Sequence, residues 1–239
     1  MSNTRGPLGY RLVHGLLSYR SAAGERGQER FTISVHSDGS RILRAMSEIY
    51  ETRVLRDVSL RLGPDGCPRD AFVRLTVRDR FLGSGWFCFD AGEAQGEALH
   101  APASRVSQRV RVDGRVRAFG THPIAGDGWH AFLFDMRGPA RQRFERLMIS
   151  SYAFDGATGP ELLPVAFGLE LLGIEDVATE AGTLRCRHFR FLLGDSQFHD
   201  HPDYEIWVTD DGDNVVARAR VGEPKNYSYE LVSLERVER

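Results

Sequence analysis

Between residues 30 and 120 apolar side chains return at every second position, and turn residues interrupt the runs. Phe31, Ile33 and Val35 alternate before Asp38-Gly39. Val54, Val58, Leu60 and Leu62 share a face before Pro64-Asp-Gly66. Val73, Leu75 and Val77 follow. Val106, Val110 and Val112 lead to Asp113-Gly114, which turns into Val116 and Ala118. A strand sends successive side chains to opposite faces, so this period marks strands with one buried face. Asp-Gly and Pro-Asp-Gly supply the turn conformations that tight hairpins need. A succession of hairpins builds an antiparallel sheet.

Within that meander, Gly83-Ser-Gly85 leads into Trp86-Phe-Cys-Phe89, a run apolar on both faces. Strand patterns return in the C-terminal third, over 184–193, 205–209, 214–221 and 226–234. The middle differs. Gly138-Pro139 precedes Ala140 to Ile149, where Phe144, Leu147 and Met148 sit at i, i+3 and i+4. Proline suits the first turn of a helix and this spacing suits one helical face. The pattern predicts a helix between Pro139 and Ile149. A second helical candidate, Glu161 to Leu172, is interrupted by Pro164 and Gly168. The expected fold is mainly β: one domain over 1–239, a large curved antiparallel sheet or open β-barrel, with one or two helices covering its concave side. A barrel of this size can enclose a cavity for a small ligand.

The chain has 239 residues, of which 41% are hydrophobic and 27% charged, an ordinary globular balance, and a net charge of −2. That charge offers no global basic field for nucleic acid. Nearly all basic residues are arginine, with Lys225 the single lysine. A GC-rich genome accounts for this better than selective anion recognition, because the arginines are spread along whole strands. Cys67, Cys88 and Cys186 are odd in number and widely spaced, which argues against a disulfide framework. The start of the chain holds no apolar run of signal-peptide length, and no stretch reaches the ~20 apolar residues that cross a bilayer. Reduced cysteines and a cytoplasmic location, with no membrane partner, are the expectation.

Two polar constellations carry chemistry. In Phe119 to Asp135, His122, Asp127, Trp129, His130 and Asp135 fall close together among Gly and Pro. Histidine titrates near neutrality, a carboxylate can orient an imidazole, and Trp129 could form an apolar wall. The plain alternative is a loop whose histidines cap backbone groups. The second constellation is His199, His201, Asp203 and Tyr204, just before a strand. Two imidazoles two residues apart share a face on a strand, as in some metal sites, but Asp200 and Pro202 make this a loop, and spacing specifies no third ligand. His188 shares a strand face with Leu184 and Cys186; it is a base only if that face lines a cavity. Arg185, Arg187 and Arg190 read as a solvated face. Asp210-Asp-Gly-Asp213 lacks the full calcium-loop pattern and reads as a hairpin turn. There is no GxGxxG after a strand, no P-loop and no GxSxG elbow, which argues against dehydrogenases and kinases.

The C-terminal hairpins carry a family resemblance. Tyr204-Glu-Ile-Trp-Val-Thr-Asp-Asp211, Val215-Val-Ala-Arg218 and Tyr227-Ser-Tyr-Glu-Leu231 resemble the closing hairpins of the lipoprotein-carrier-like open barrels, and more closely their uncharacterised bacterial relatives. Arg56 to Gly66 also fits their meander. The resemblance implies a curved antiparallel sheet wrapped round helices, with an apolar cavity. Periplasmic members carry lipoproteins or lipids. A cytoplasmic relative, the violacein-pathway enzyme that rearranges an indole intermediate, works without metal or cofactor. The expected lack of a leader favours intracellular small-molecule chemistry over lipoprotein transport. The resemblance transfers no catalytic residue.

Three functions follow as expectations. The first is a cofactor-independent enzyme, of lyase or isomerase type, acting on an aromatic or apolar metabolite. Trp86, Phe87, Trp129, Phe132 and Trp207 would line its cavity. His130, His122 or His188 would move protons, with Asp127 or Tyr204 assisting. The second is a non-catalytic binder or carrier using the same cavity. The third is a metal hydrolase built on His199 and His201, although the incomplete ligand set predicts no stoichiometric metal. The expected partner is a small apolar or aromatic ligand, with a homodimer left open.

Overall fold

A computed structural model describes residues 9–194 and 200–238. Among these described residues fifteen strands form one sheet: β1 (Tyr10–Ser21), β2 (Gly24–His36), β3 (Arg41–Ile49), β4 (Val54–Leu62), β5 (Pro68–Val77), β6 (Arg80–Asp90), β7 (Glu93–His100), β8 (Ser104–Arg111), β9 (Ala118–Gly120), β10 (Arg141–Ile149), β11 (Leu163–Thr179), β12 (Gly182–Leu192), β13 (Tyr204–Thr209), β14 (Val216–Val221) and β15 (Tyr227–Glu238). From one edge to the other the order is β8 down to β1, then β15 down to β9. Each half is thus a hairpin meander, and the two chain ends pair at the centre, with Val13 opposite Arg236. All pairings are antiparallel except the short β9–β10 contact. The sheet is curved and open, mainly β as the alternation requires.

The turns sit where their chemistry puts them. Gly39 and Gly66 both adopt positive φ, at 85° and 74°, closing β2–β3 and β4–β5. Inner-face positions build one core that runs through most of the strands, including Leu17, Leu43, Leu75, Phe87, Leu169, Phe189, Ile206 and Leu231. The edge strands β8 and β9 do not pair with each other. The loop before β11 spans part of that gap. The Gln108 amide accepts from the Leu162 backbone N–H at 2.8 Å and donates to its carbonyl at 3.1 Å, a strand-like pair made by a side chain.

The helix predicted over 139–149 is not there; Arg141–Ile149 is β10. A β-bulge explains the misleading spacing. Arg146 takes φ 60°, and the register shifts between Phe144 and Leu147. The extra residue lets Phe144 pair with Phe167 and Leu147 with Val165, so two residues three apart face the same core. The second candidate, 161–172, is likewise extended and runs into β11. Helical turns occur instead inside the 119–135 segment: α1 (Ile124–Asp127), followed by a 3-10 turn at Gly128–Leu133. Ile124, Ala125, Trp129, Ala131 and Leu133 are buried in the core, so this turn fills the concave side. It packs closely: a Cβ on Gly128 would meet the Asn214 carbonyl at 2.4 Å. No helix among the described residues is long and apolar enough to cross a membrane. The three cysteines are unpaired.

Candidate functional site

A cavity of about 360 Å³ opens beside α1, a size suited to small ligands. Its walls are largely apolar and come from both sides of the sheet's second half: Met148 of β10, Val165 and Phe167 of β11, Phe191 of β12, Val221 of β14 and Tyr229 of β15. Its polar residues include His122, Asp127, His130, His201 and Tyr204. Four of the five residues expected to be catalytic therefore meet there, although they come from segments nearly eighty positions apart.

Asp127, the last residue of α1, is the centre of the polar group. Tyr204 donates its hydroxyl to Asp127 Oδ2 at 2.8 Å. The side chain keeps about 20% of its exposure. Removal from water disfavours the carboxylate and pushes its pKa up to about 7; the Tyr204 hydrogen bond opposes this, and the nearby Glu29 adds to it. The same burial raises the Tyr204 hydroxyl well above its ordinary range.

The histidines are held neutral. His130 donates Nδ1–H to the Asp127 backbone carbonyl at 3.1 Å and stands 3.8 Å from the carboxylate. Its ring packs edge-on against Phe167 and Phe191, and burial lowers its pKa to about 4. His122 donates Nε2–H to the Ser151 carbonyl at 2.9 Å. Burial, then the Arg56 guanidinium beside it, lowers its pKa to about 3. His122 also takes the left-handed conformation, φ 77°, unusual for a residue with a Cβ. His201 donates Nδ1–H to the Pro202 carbonyl at 2.6 Å, and burial lowers its pKa as well. A carbonyl can only accept, so each ring keeps its proton on the bonded nitrogen and leaves the other nitrogen as an acceptor.

Two buried charges that support this site escaped the sequence reading. Glu29, on β2, is fully buried. It accepts from the Ile124 and Ala125 backbone N–H groups at 2.7 and 2.9 Å and from the Tyr19 hydroxyl, so it caps α1 from across the barrel. Burial raises its pKa to about 7. Arg56, on β4, is 1% exposed. It donates to the Thr121 carbonyl at 2.8 Å, the Gly156 carbonyl at 2.6 Å and Ser150 Oγ at 2.6 Å. It thereby ties together the two segments that bring His122 and Phe154 to the cavity. Desolvation lowers its pKa to about 9. The signal for both was in the alternation. Glu29 precedes Phe31 and Ile33 by period two, and Arg56 lies between Val54 and Val58, so each occupies an inward position.

Other expected site residues lie elsewhere. His188 and Trp207 are on the outer face, stacked with ring centroids 3.9 Å apart. His188 meets Glu205 at 3.1 Å and Glu175 at 3.3 Å, while Trp207 donates to Glu175 at 2.7 Å. Trp207 forms a small outer cluster with Val177, Cys186 and Ala217 across β11 to β14. Trp86 is 47% exposed on the surface, since Phe87 and Phe89 take the inner positions of β6. Phe87 packs on Phe119 in the core. Trp129 is core too, and its Nε1 has no partner among the described residues. Phe132 packs near Gly66, under the Arg41 guanidinium. None of these lines the cavity. His199 lies outside the described residues, and no group of three His, Cys, Asp or Glu residues among those described is placed to hold a metal.

No family model matches the sequence, and no curated protein matches it. Solved structures do resemble the fold. One is a β-barrel-like protein of a domain of unknown function, DUF1849, from Brucella abortus. It is 11% identical, with 96% of this chain and 98% of that chain covered at a TM-score of 0.55. Another is a DUF1089 family protein from Pseudomonas aeruginosa, 11% identical, with 80% and 88% covered at a TM-score of 0.47. The first likeness establishes a β-barrel-like fold. It does not extend to the lipoprotein-carrier-like family or to the violacein-pathway enzyme.

Proposed function

We propose that this protein takes a small, largely apolar molecule into the cavity beside α1 and moves a proton on it with Asp127, without a cofactor. One observation carries the reading: a carboxyl group at the wall of an apolar cavity, bonded to the Tyr204 hydroxyl, with a pKa near neutrality. Such a group can give or take a proton at little cost, the property a general acid or base needs. Tyr204 holds one carboxyl oxygen, which leaves the other for a ligand. His130 acts as a neutral acceptor beside it. Reactions that need only proton transfer, such as elimination or isomerisation on an apolar skeleton, fit this inventory. The test is a metabolite screen against Asp127→Asn and Tyr204→Phe. Loss of a general acid or base lowers turnover ~10²–10⁴-fold. Full turnover in folded Asp127→Asn would refute the catalytic assignment.

A second reading is non-catalytic binding in the same cavity. It is favoured by the 3.8 Å gap between the His130 ring and the Asp127 carboxylate, too long for an oriented acid–base pair. Ligand binding that persists in Asp127→Asn, with no turnover in either protein, supports it. The resemblance to lipoprotein-carrier-like barrels is consistent with either reading.

A further inference from the structure

The polar groups of the cavity are unbalanced between donors and acceptors. His130 Nδ1 and His122 Nε2 each spend their proton on a carbonyl, so His130 Nε2 and His122 Nδ1 are acceptors. His201 is fixed the same way and presents Nε2. Tyr152 spends its hydroxyl on the Pro164 carbonyl and Tyr204 spends its own on Asp127. Asp127 Oδ1 completes the acceptors. Tyr229, which accepts from Arg26 at 3.3 Å, retains a hydroxyl proton on the donor side.

Nearby cations do not answer the Asp127 carboxyl. Arg56 is committed to three acceptors. Arg26 faces Glu51 and Tyr229. Lys225 is exposed at the rim over the Phe154 ring. Glu29 lies behind α1 and repels a second negative charge, and Asp200 adds a carboxylate at the rim. From this inventory we infer that the ligand is an amphipathic amine: an apolar body against Val165, Phe167 and Phe191, and a protonated nitrogen donating to Asp127 and His130. An ammonium group brings several donors and no acceptor, the complement of these walls. A carboxylate ligand would instead meet acceptors and like charge around Asp127, with the Tyr229 hydroxyl and the rim ammonium of Lys225 as the donors opposing them.

This inference rests on the cavity being the binding site. Three probes share one body and differ in head group: 4-phenylbutylamine, 4-phenylbutan-1-ol and 4-phenylbutanoate. Their affinities are measured by calorimetry at neutral pH on the wild type, Asp127→Asn, and two cavity-filling variants, Val165→Trp and Val221→Phe. Melting temperatures confirm that each variant is folded. The amine is expected to bind at least ~10-fold tighter than the alcohol or the acid, a charge-assisted bond's advantage. Asp127→Asn should bring it down to the alcohol's affinity, and the folded filling variants should bind none. Titration in two buffers at mildly acid pH should show release of up to about one proton per amine bound, as the protonated Asp127 carboxyl ionises against the ammonium. Should the alcohol or acid bind as tightly as the amine, and lose binding in the filling variants, the amine assignment is overturned and the cavity reading stands. If no probe binds, or binding survives both folded filling variants, the cavity reading fails, and the amine assignment with it.

Discussion

At the residue scale, the site depends on charges held away from water. Arg56 is the sharpest case. Replacing it with Met would leave the Thr121 and Gly156 carbonyls and the Ser150 hydroxyl without their donor, and a buried polar group left unsatisfied costs ~1–3 kcal/mol. Urea denaturation of Arg56→Met should show a loss of that order, and a change under ~1 kcal/mol would contradict the role given to it. Asp127 makes a pH-dependent prediction. Its folded pKa is raised from 3.8 to about 7, so the folded chain keeps a proton that the unfolded chain has released. Its contribution is full below pH 3.8 and is lost as the pH climbs through 7. Asp127→Asn should therefore gain stability relative to wild type as pH rises over that window, by on the order of 4 kcal/mol in all. His122 and His130 act in the opposite sense. Their folded values, about 3 and about 4, lie below 6.5, so their contribution is full above 6.5 and falls away towards acid. The candidate acids and bases were legible because Asp127, His122, His130 and Tyr204 are polar residues crowded beside turns. Glu29 and Arg56 were not picked out because alternation was read for its apolar members alone.

At the element scale, β10 shows where periodicity misleads. A bulged strand puts residues three apart on one face, the same signature as a helical turn, and here the bulge at Arg146 does so. Deleting Arg146 would remove the extra residue and send Leu147 and Met148 to the wrong faces, because a one-residue slip inverts every later side chain. The deletion should fail to give a cooperative melt, whereas Arg146→Gly, which tolerates φ 60°, should melt within a few degrees of wild type. A normal melt for the deletion would mean that the bulge does not set the register. The helical turn 124–133 was hidden for a different reason. It is too short to show a period, and its N-terminus is capped by Glu29 from another strand, which no local pattern reveals. His188 does share a face of β12 with Leu184 and Cys186, but that face is the outer one because Phe189 occupies the core, and Trp207 is outward on β13 because Ile206 and Val208 do.

At the scale of the whole molecule, the fold followed from alternation and turn chemistry, and fifteen strands in one open curved sheet are its consequence. The cavity did not follow, because it is assembled from strands far apart in the chain around a helical turn. Gly120, His122, Asp127 and His130 line it, but none of the five expected wall residues does: Trp86 is on the surface, Trp207 on the outer face, Phe87 and Trp129 in the core, and Phe132 half-buried against that core. The central claim is that Asp127 is an exchangeable acid at neutral pH. Infrared difference spectra of the carboxyl band against pH, with Asp127→Asn as the reference that identifies the band, measure it directly. The account expects a buried carboxyl that titrates near 7 and is absent from the variant. An Asp127 band that titrates near 4, like an ordinary aspartate, would contradict it.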